Sequence, residues 1–194
     1  MMKKKIIITG GLGYIGTELC KLYSGVSWNN SITVIDNRFS SERVNQIRNW
    51  NMNFVHGDIL DKTLINKYCK DADVVHHLAG ITDVPRTRSE SNDDKDNQIK
   101  IVAEEGTQNI LDAISDKCKI IFPSTHVVYE GIEKIKNEIT EDEEVKPILS
   151  YSKSKALNEK QLKNSGKNYI ILRLGSVYGY STDTARIDIM PNLF

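Results

Sequence analysis

The stretch Thr9-Gly10-Gly11-Leu12-Gly13-Tyr14-Ile15-Gly16 decides the fold. It follows a short apolar run over 6–9 and opens a segment, 12–23, whose apolar residues have helical spacing. A glycine-rich turn between a strand and a helix lets the backbone approach a pyrophosphate, and the first helical turn offers free N–H groups and the positive end of its dipole. The stretch therefore predicts a phosphate-binding loop, and the alternative is a purely structural glycine turn.

An acidic residue follows at the position that a dinucleotide-binding unit requires. Asp36 ends the second apolar run, about 20 residues after Gly16. A carboxylate there accepts hydrogen bonds from the adenosine ribose hydroxyls and repels a 2′-phosphate, so NAD is favoured over NADP. Arg38, two residues later, weakens that preference.

The rest of the chain alternates short β-branched runs with longer amphipathic segments. We expect strands over 6–9, 32–36, 52–56, 74–79, 120–124 and 169–174, and helices over 12–23, 40–50, 61–68, 99–114 and 151–162. Continuous apolar strands separated by helices predict a doubly wound α/β fold with a parallel sheet, a Rossmann fold. The acidic stretch 132–146 lacks clean periodicity and is predicted to be a surface loop.

Composition narrows the class of protein. The 194 residues include 26 basic and 26 acidic side chains, so no overall charge draws the chain to nucleic acid or to an anionic membrane. Three scattered cysteines fit a reducing compartment and show no metal-like spacing. No apolar run approaches the ~18 residues of a membrane span. We expect a cytoplasmic protein with no nucleic-acid, membrane or metal partner, and structural roles for His76 and His77.

Tyr151 and Lys155 are the candidate catalytic pair. Four residues apart on a predicted helix, they share one face. A tyrosine is a poor base at its usual pKa of about 10, and a nearby ammonium lowers that pKa. Thr125 follows Ser124 at the carboxyl end of the fifth strand, where α/β folds bind ligands, and its hydroxyl is expected to hydrogen-bond the reacting oxygen. The alternatives are an exposed helical pair and a strand-end cap.

Four ordered segments resemble motifs of the extended short-chain dehydrogenase/reductases, specifically the NAD-dependent nucleotide-sugar epimerase/dehydratase family. They are the opening TGGxGxIG (9–16), a strand ending similar to SSxxVYG (124–130), a stretch close to PxSxYxxSKxxxE (147–159) and one similar to RxxNVYG (173–179). The resemblance covers nearly the whole chain. It implies NAD as the cofactor, a nucleotide sugar as the substrate and a possible homodimer.

Roles carried over from this resemblance divide into three groups. Thr125, Tyr151 and Lys155 would be catalytic, and Ser176 would join Thr125 and Tyr151 in binding substrate. The residues expected to bind the cofactor are Gly10, Gly13, Tyr14, Ile15, Gly16, Asp36, Asn37, Asp58, Ile59, Leu78, Ala79, Gly80 and Lys155. Asp58 has an alternative reading as a turn or helix-cap residue.

Several residues depart from the family pattern. His126-Val127 stands where sugar dehydratases carry Asp-Glu, which argues against a 4,6-dehydratase. Glu130 replaces the glycine of VYG, Ala103 replaces the asparagine of NxxGT, and Ser176 replaces the asparagine of NVYG. The substrate is therefore left open.

Family resemblance also sets the expected domain limits and function. Residues 1–180 are predicted to form the NAD-binding domain, and 181–194 to begin a truncated substrate-binding region. The function expected is a nucleotide-sugar epimerase or related sugar-nucleotide oxidoreductase, with Tyr151 as acid and base. The alternatives are a reductase or dehydrogenase of another alcohol or ketone, which would form net NADH, and a non-catalytic module that binds NAD without turnover.

Overall fold

The computed structural model describes residues 3–26, 30–82, 93–133 and 138–179. Six strands alternate with five helices in this part of the chain. The elements are β1 (Lys5–Thr9), α1 (Tyr14–Ser24), β2 (Ser31–Asp36), α2 (Ser41–Asn49), β3 (Asn53–His56), α3 (Lys62–Cys69), β4 (Val74–His77), α4 (Asp93–Ala113), β5 (Lys119–Thr125), a short 3₁₀ turn (His126–Tyr129), α5 (Ser150–Asn164) and β6 (Asn168–Leu174).

The strands form one sheet in the order β3-β2-β1-β4-β5-β6, and every neighbouring pair is parallel. This order reverses direction between β1 and β4, which is the point where doubly wound sheets open a crevice at the carboxyl ends of their strands. The prediction of a doubly wound Rossmann fold is confirmed.

Helices cover both faces of the sheet, and alternate residues of β1 show how. Ile7 belongs to a buried cluster that includes residues of α3, α4 and α5, whereas Ile6 and Ile8 pack with residues of α1 and α2 on the opposite face. Because both faces are buried, the strands carry continuous apolar runs instead of an alternating pattern.

The observed helix α4 begins at Asp93, six residues before the predicted start at 99. Its apolar periodicity begins only at Ile99, so the polar first turns could not be predicted from periodicity. That first turn carries three aspartates, which the positive end of the helix dipole stabilises.

The other boundaries differ from prediction by at most two residues. Helix α1 starts at Tyr14 because the glycine turn occupies the two residues before it, and β4 ends at His77 instead of 79. Neither helix nor strand occurs in 132–133 or 138–146, the described parts of the predicted acidic loop, and the predicted region 181–194 lies outside the described residues. Within the described ranges, no helix is both long and apolar enough to span a membrane.

Candidate active site

A cleft of about 1130 Å³ opens at the carboxyl ends of the strands. It is lined by the loops that follow β1, β2, β3, β4 and β5, together with the start of α5 and the residues after β6. Every residue predicted for a site role lies on its wall: Gly10, Gly13, Tyr14, Ile15, Gly16, Asp36, Asn37, Asp58, Ile59, Leu78, Ala79, Gly80, Thr125, Tyr151, Lys155 and Ser176. The fold thus brings together residues that are far apart in sequence.

The glycine loop leaves no room for a side chain at Gly10 or Gly16. Gly10 has a φ of +70°, and a Cβ added there would lie 2.6 Å from the backbone nitrogen of Ala79. A Cβ on Gly16 would lie 2.4 Å from the carbonyl oxygen of Gly10. Helix α1 begins after Gly13, without a side-chain cap and without an acidic residue in its first turn. Its first N–H groups are therefore available to an anion at the edge of the cleft.

Two charged side chains bind the backbone of Leu12 in this loop, one at its N–H and the other at its carbonyl oxygen. The Asp36 carboxylate accepts the backbone N–H of Leu12 at 2.9 Å, and Arg43 donates to the Leu12 carbonyl oxygen at 2.8 Å. Asp36 is buried, and its other oxygen accepts the backbone N–H and the guanidinium N–H of Arg38, at 2.9 and 3.4 Å. The carboxylate predicted to bind ribose thus also fixes the phosphate loop.

Asn37 and Asp58 meet at the end of the cleft near β2 and β3. The Asn37 amide donates to one Asp58 oxygen at 2.9 Å, and the other oxygen accepts the backbone N–H of Leu60 at 2.9 Å. Asp58 therefore stabilises the turn after β3, which agrees with its alternative interpretation as a turn residue. Its carboxylate also lines the cleft, so the predicted adenine contact stays a prediction.

Lys155 lies buried between the end of β5 and Tyr151. Its ammonium donates to the Pro123 carbonyl oxygen at 2.9 Å, and Nζ lies 4.4 Å from the centroid of the Phe122 ring and 5.9 Å from that of Tyr151. Burial lowers the pKa of Lys155 to about 8. A pKa of about 8 leaves the ammonium largely protonated at neutral pH.

The two hydroxyls at the end of β5 have different partners. Ser124 donates to the Glu159 carboxylate at 2.6 Å and is buried by that contact. Thr125 caps the 3₁₀ turn by accepting the N–H of Val127 at 3.3 Å. This cap uses a lone pair of Thr125 and not its proton. Thr125 can therefore cap the 3₁₀ turn at the end of β5 and still donate to a ligand in the cleft.

A buried ion pair between α5 and β6 was not predicted from the sequence. Arg173 on β6 donates to both oxygens of Glu159 on α5, at 3.0 and 2.6 Å. Burial alone raises the pKa of Glu159, but the hydrogen bonds from Arg173 and Ser124 outweigh it and lower the pKa below its usual value. The pair joins α5, β5 and β6. In the sequence, the two residues are marked only as the Glu of PxSxYxxSKxxxE and the Arg of RxxNVYG.

His76 and His77 contact opposite sides of the sheet, as expected for neighbours in a strand. His76 bonds the Tyr23 hydroxyl at 2.8 Å, and His77 lies between the hydroxyls of Thr9 and Thr107 at 3.0 and 2.9 Å. Burial lowers the pKa of His77 to about 3, and the nearby Lys155 charge adds to the effect. No cluster of possible metal ligands occurs among the described residues.

Sequence reasoning missed several residues of the cleft wall. Asp94, Asn97 and Gln98 line it from the first turns of α4, which lie before the predicted start of that helix. Ala103 stands where the NxxGT motif has an asparagine. Its carbonyl oxygen accepts a hydrogen bond from the Asn158 amide at 2.8 Å. A polar side chain from α5 thus reaches this part of α4.

Comparisons with known proteins agree with this geometry. The chain matches the family described as NAD dependent epimerase/dehydratase over residues 6–192. It is 34% identical over 132 residues to the UDP-N-acetyl-alpha-D-glucosaminuronate decarboxylase of Bacillus cytotoxicus, covering 66% of this chain and 38% of that protein. It is 31% identical to the UDP-glucose 4-epimerase of Lactobacillus helveticus, covering 92% of this chain and 53% of that protein.

A solved structure extends the likeness to three dimensions. The UDP-glucuronic acid 4-epimerase of Bacillus cereus, in complex with UDP-glucuronic acid and NAD, superposes with a TM-score of 0.75 at 28% identity. The match covers 97% of this chain and 60% of that one. The chain thus spans between 38% and 60% of the lengths of these proteins.

Proposed function

Because the chain belongs to the NAD-dependent epimerase/dehydratase family, we propose that it acts as a nucleotide-sugar epimerase or a related sugar-nucleotide oxidoreductase. The observation that carries this proposal is the shared cleft. Its wall holds a glycine loop with space for an anion at one end, and Thr125, Tyr151 and Lys155 at another.

The geometry of the loop fits NAD. Cβ atoms at Gly10 and Gly16 would collide with the protein's own backbone, so these two glycines allow the tight turn and the close packing of α1 that would bring the N–H groups of the loop to a pyrophosphate. Asp36 would hold the adenosine ribose, and its negative charge favours NAD over a cofactor with a 2′-phosphate. Arg38 already pairs with Asp36, so its charge is partly used within the protein.

In the proposed reaction, NAD held in the cleft would supply reversible hydride acceptance from a sugar carbon, with no net consumption of the cofactor. Tyr151 takes the proton from the sugar hydroxyl and gives it back to the resulting carbonyl oxygen. The Lys155 ammonium favours the phenolate form that can act as the base. Thr125 donates a hydrogen bond to the same sugar oxygen.

A product assay tests this proposal. We would incubate a mixture of the chain and NAD⁺ with one nucleotide sugar at a time: UDP-glucose, UDP-N-acetylglucosamine or UDP-glucuronic acid. The epimers would be separated by chromatography. Epimer formation by the wild-type chain is expected, with a loss of about 10²- to 10⁴-fold in Tyr151→Phe. The control is Tyr169→Phe, at the far end of β6 from the cleft, which should keep its activity.

Two other outcomes favour the alternatives. Net absorbance at 340 nm without an epimer would indicate a dehydrogenase or reductase. Binding of NAD⁺ by a folded chain with no turnover of any probe would indicate a module that needs a further part to act.

A further inference from the structure

Glu130 binds the start of the helix that carries Tyr151. It follows the 3₁₀ turn after β5, and one of its carboxylate oxygens accepts the backbone N–H groups of Ile148 at 2.6 Å and Leu149 at 2.7 Å. The same oxygen accepts the hydroxyl proton of Ser152. Three donors from the beginning of α5 thus converge on one distant carboxylate.

Helix α5 lacks a cap of its own. Its N-cap residue is Leu149, whose side chain has no hydrogen-bonding atom, and the first turn contains no acidic residue. The first N–H groups of a helix need acceptors from outside the helix. In a capping box, the third helical residue supplies a carboxylate to the N-cap N–H. Here Glu130 supplies that carboxylate from another segment.

The same contact joins the two segments that carry the proposed reacting groups. Backbone hydrogen bonds run from Lys146 to Val128 at 2.8 Å and from Gly131 to Lys146 at 2.9 Å. Glu130 extends this pairing into the first turn of α5. Thr125 lies just before the 3₁₀ turn, and Tyr151 is the second residue of the helix.

The carboxylate is suited to this contact because it stays charged. Burial alone raises the pKa of Glu130, but the hydrogen bonds from Ser152, Leu149 and Ile148 outweigh it and lower the pKa. A negative charge at a helix N-terminus is also favourable with respect to the helix dipole.

We propose that Glu130 is a positioning residue, which sets Tyr151 relative to Thr125 by capping α5 from the turn after β5. It occupies the place of a glycine in the motif that the segment resembles, so this chain has a link that a glycine cannot make. The inference rests on the proposed role of Tyr151, but the position of the Tyr151 ring can be measured without any turnover.

The experiment uses the whole chain labelled with 3-fluorotyrosine and ¹⁹F NMR. The Tyr151 signal is assigned by its loss in Tyr151→Phe. In Glu130→Ala, this signal is expected to shift and broaden while the signals of distant tyrosines stay in place. Glu130→Gln keeps an acceptor oxygen for the N–H groups and should stay close to wild type. The matched control is Glu144→Ala, an exposed glutamate of the nearby acidic stretch 132–146.

Amide hydrogen exchange of residues 148–153 is the second readout. Loss of a cap changes a local opening equilibrium about five- to tenfold, so Glu130→Ala should exchange faster by that factor. If Glu130→Ala does not fold, Ser152→Ala removes one donor and should give a smaller change in the same signals. An unchanged Tyr151 signal in folded Glu130→Ala would overturn the inference, even if epimerase activity were found. A changed signal in a chain that turns over no nucleotide sugar would contradict the proposed function alone.

Discussion

His77 lies in a chain of hydrogen bonds that crosses the interior from the end of β1 to α5. Thr9, at the end of β1, accepts the N–H of Ala79 and contacts one ring nitrogen of His77, and Thr107 contacts the other. Thr107 also accepts the amide of Asn158 on α5. A neutral imidazole offers one donor and one acceptor, and a threonine hydroxyl can match either. The ring is therefore bound at both nitrogens without a charge.

This burial makes the stability depend on pH. The folded pKa of His77 is about 3 and its ordinary value is 6.5, so between these values the unfolded chain binds more protons. The free energy of unfolding should therefore fall as the pH decreases below about 6.5, by on the order of 2 kcal/mol between pH 7 and pH 5 from this group. The lowered pKa of His76 acts in the same direction.

Urea denaturation at the two pH values checks this prediction. His77→Leu should reduce the difference between pH 7 and pH 5, whatever its effect on absolute stability. A full wild-type difference in His77→Leu would show that another group is responsible.

At the scale of elements, Gly16 decides how closely α1 approaches the glycine loop. An alanine Cβ there would lie 2.4 Å from the Gly10 carbonyl oxygen and 2.6 Å from Gly11 Cα, and both are backbone atoms that cannot rotate away. Gly16→Ala is expected to lower the free energy of unfolding by about 1–3 kcal/mol and to weaken NAD⁺ binding.

Gly25 at the other end of α1 is the matched control. A Cβ there has its nearest neighbour at 3.7 Å, and its φ of −79° suits any residue. Gly25→Ala should therefore be neutral or stabilise the fold by about 0.4–1 kcal/mol. Thermal denaturation and NAD⁺ titration of both variants measure the contrast. Equal effects would mean that close packing at Gly16 is unimportant.

The pair of Arg173 and Glu159 fixes α5 against the sheet. Both side chains are mostly buried, at 10% and 3% exposure. Arg173→Met leaves a buried carboxylate without its bidentate partner, which costs about 3–5 kcal/mol. Lys163→Met removes a second, 52% exposed cation that lies 3.7 Å from the same carboxylate, and should cost at most about 1 kcal/mol. Denaturant unfolding of the two variants should rank them in this order, and similar losses would contradict the account.

At the scale of the whole molecule, much of the architecture could be predicted from the sequence. The glycine loop, the continuous apolar strands and the 3.6-residue periodicity are local patterns, and each predicts its element directly. Helix α4 shows the limit, because its polar first turns carry no periodicity. The cleft residues of those turns, such as Asp94, were missed for the same reason.

Contacts between distant segments could not be predicted in this way. Glu130 and the loop before α5 are 18 residues apart, and the sequence marks Glu130 only as a departure from a motif. The bond between Leu12 and Asp36 likewise depends on the order of the strands. Such contacts follow from the assembled sheet and not from any local pattern. The residues that hold the site in place were therefore harder to foresee than those that line it.

The central claim is that the cleft of this chain binds NAD through the glycine loop and Asp36. Calorimetric titration of the 194-residue chain with NAD⁺ and NADP⁺ tests it most directly. The account predicts saturable binding at one site, preference for NAD⁺, and clear weakening in Asp36→Ala but not in Asp71→Ala, which removes an exposed aspartate. A folded chain that binds neither nucleotide, or binds NAD⁺ equally well in Asp36→Ala, would contradict it.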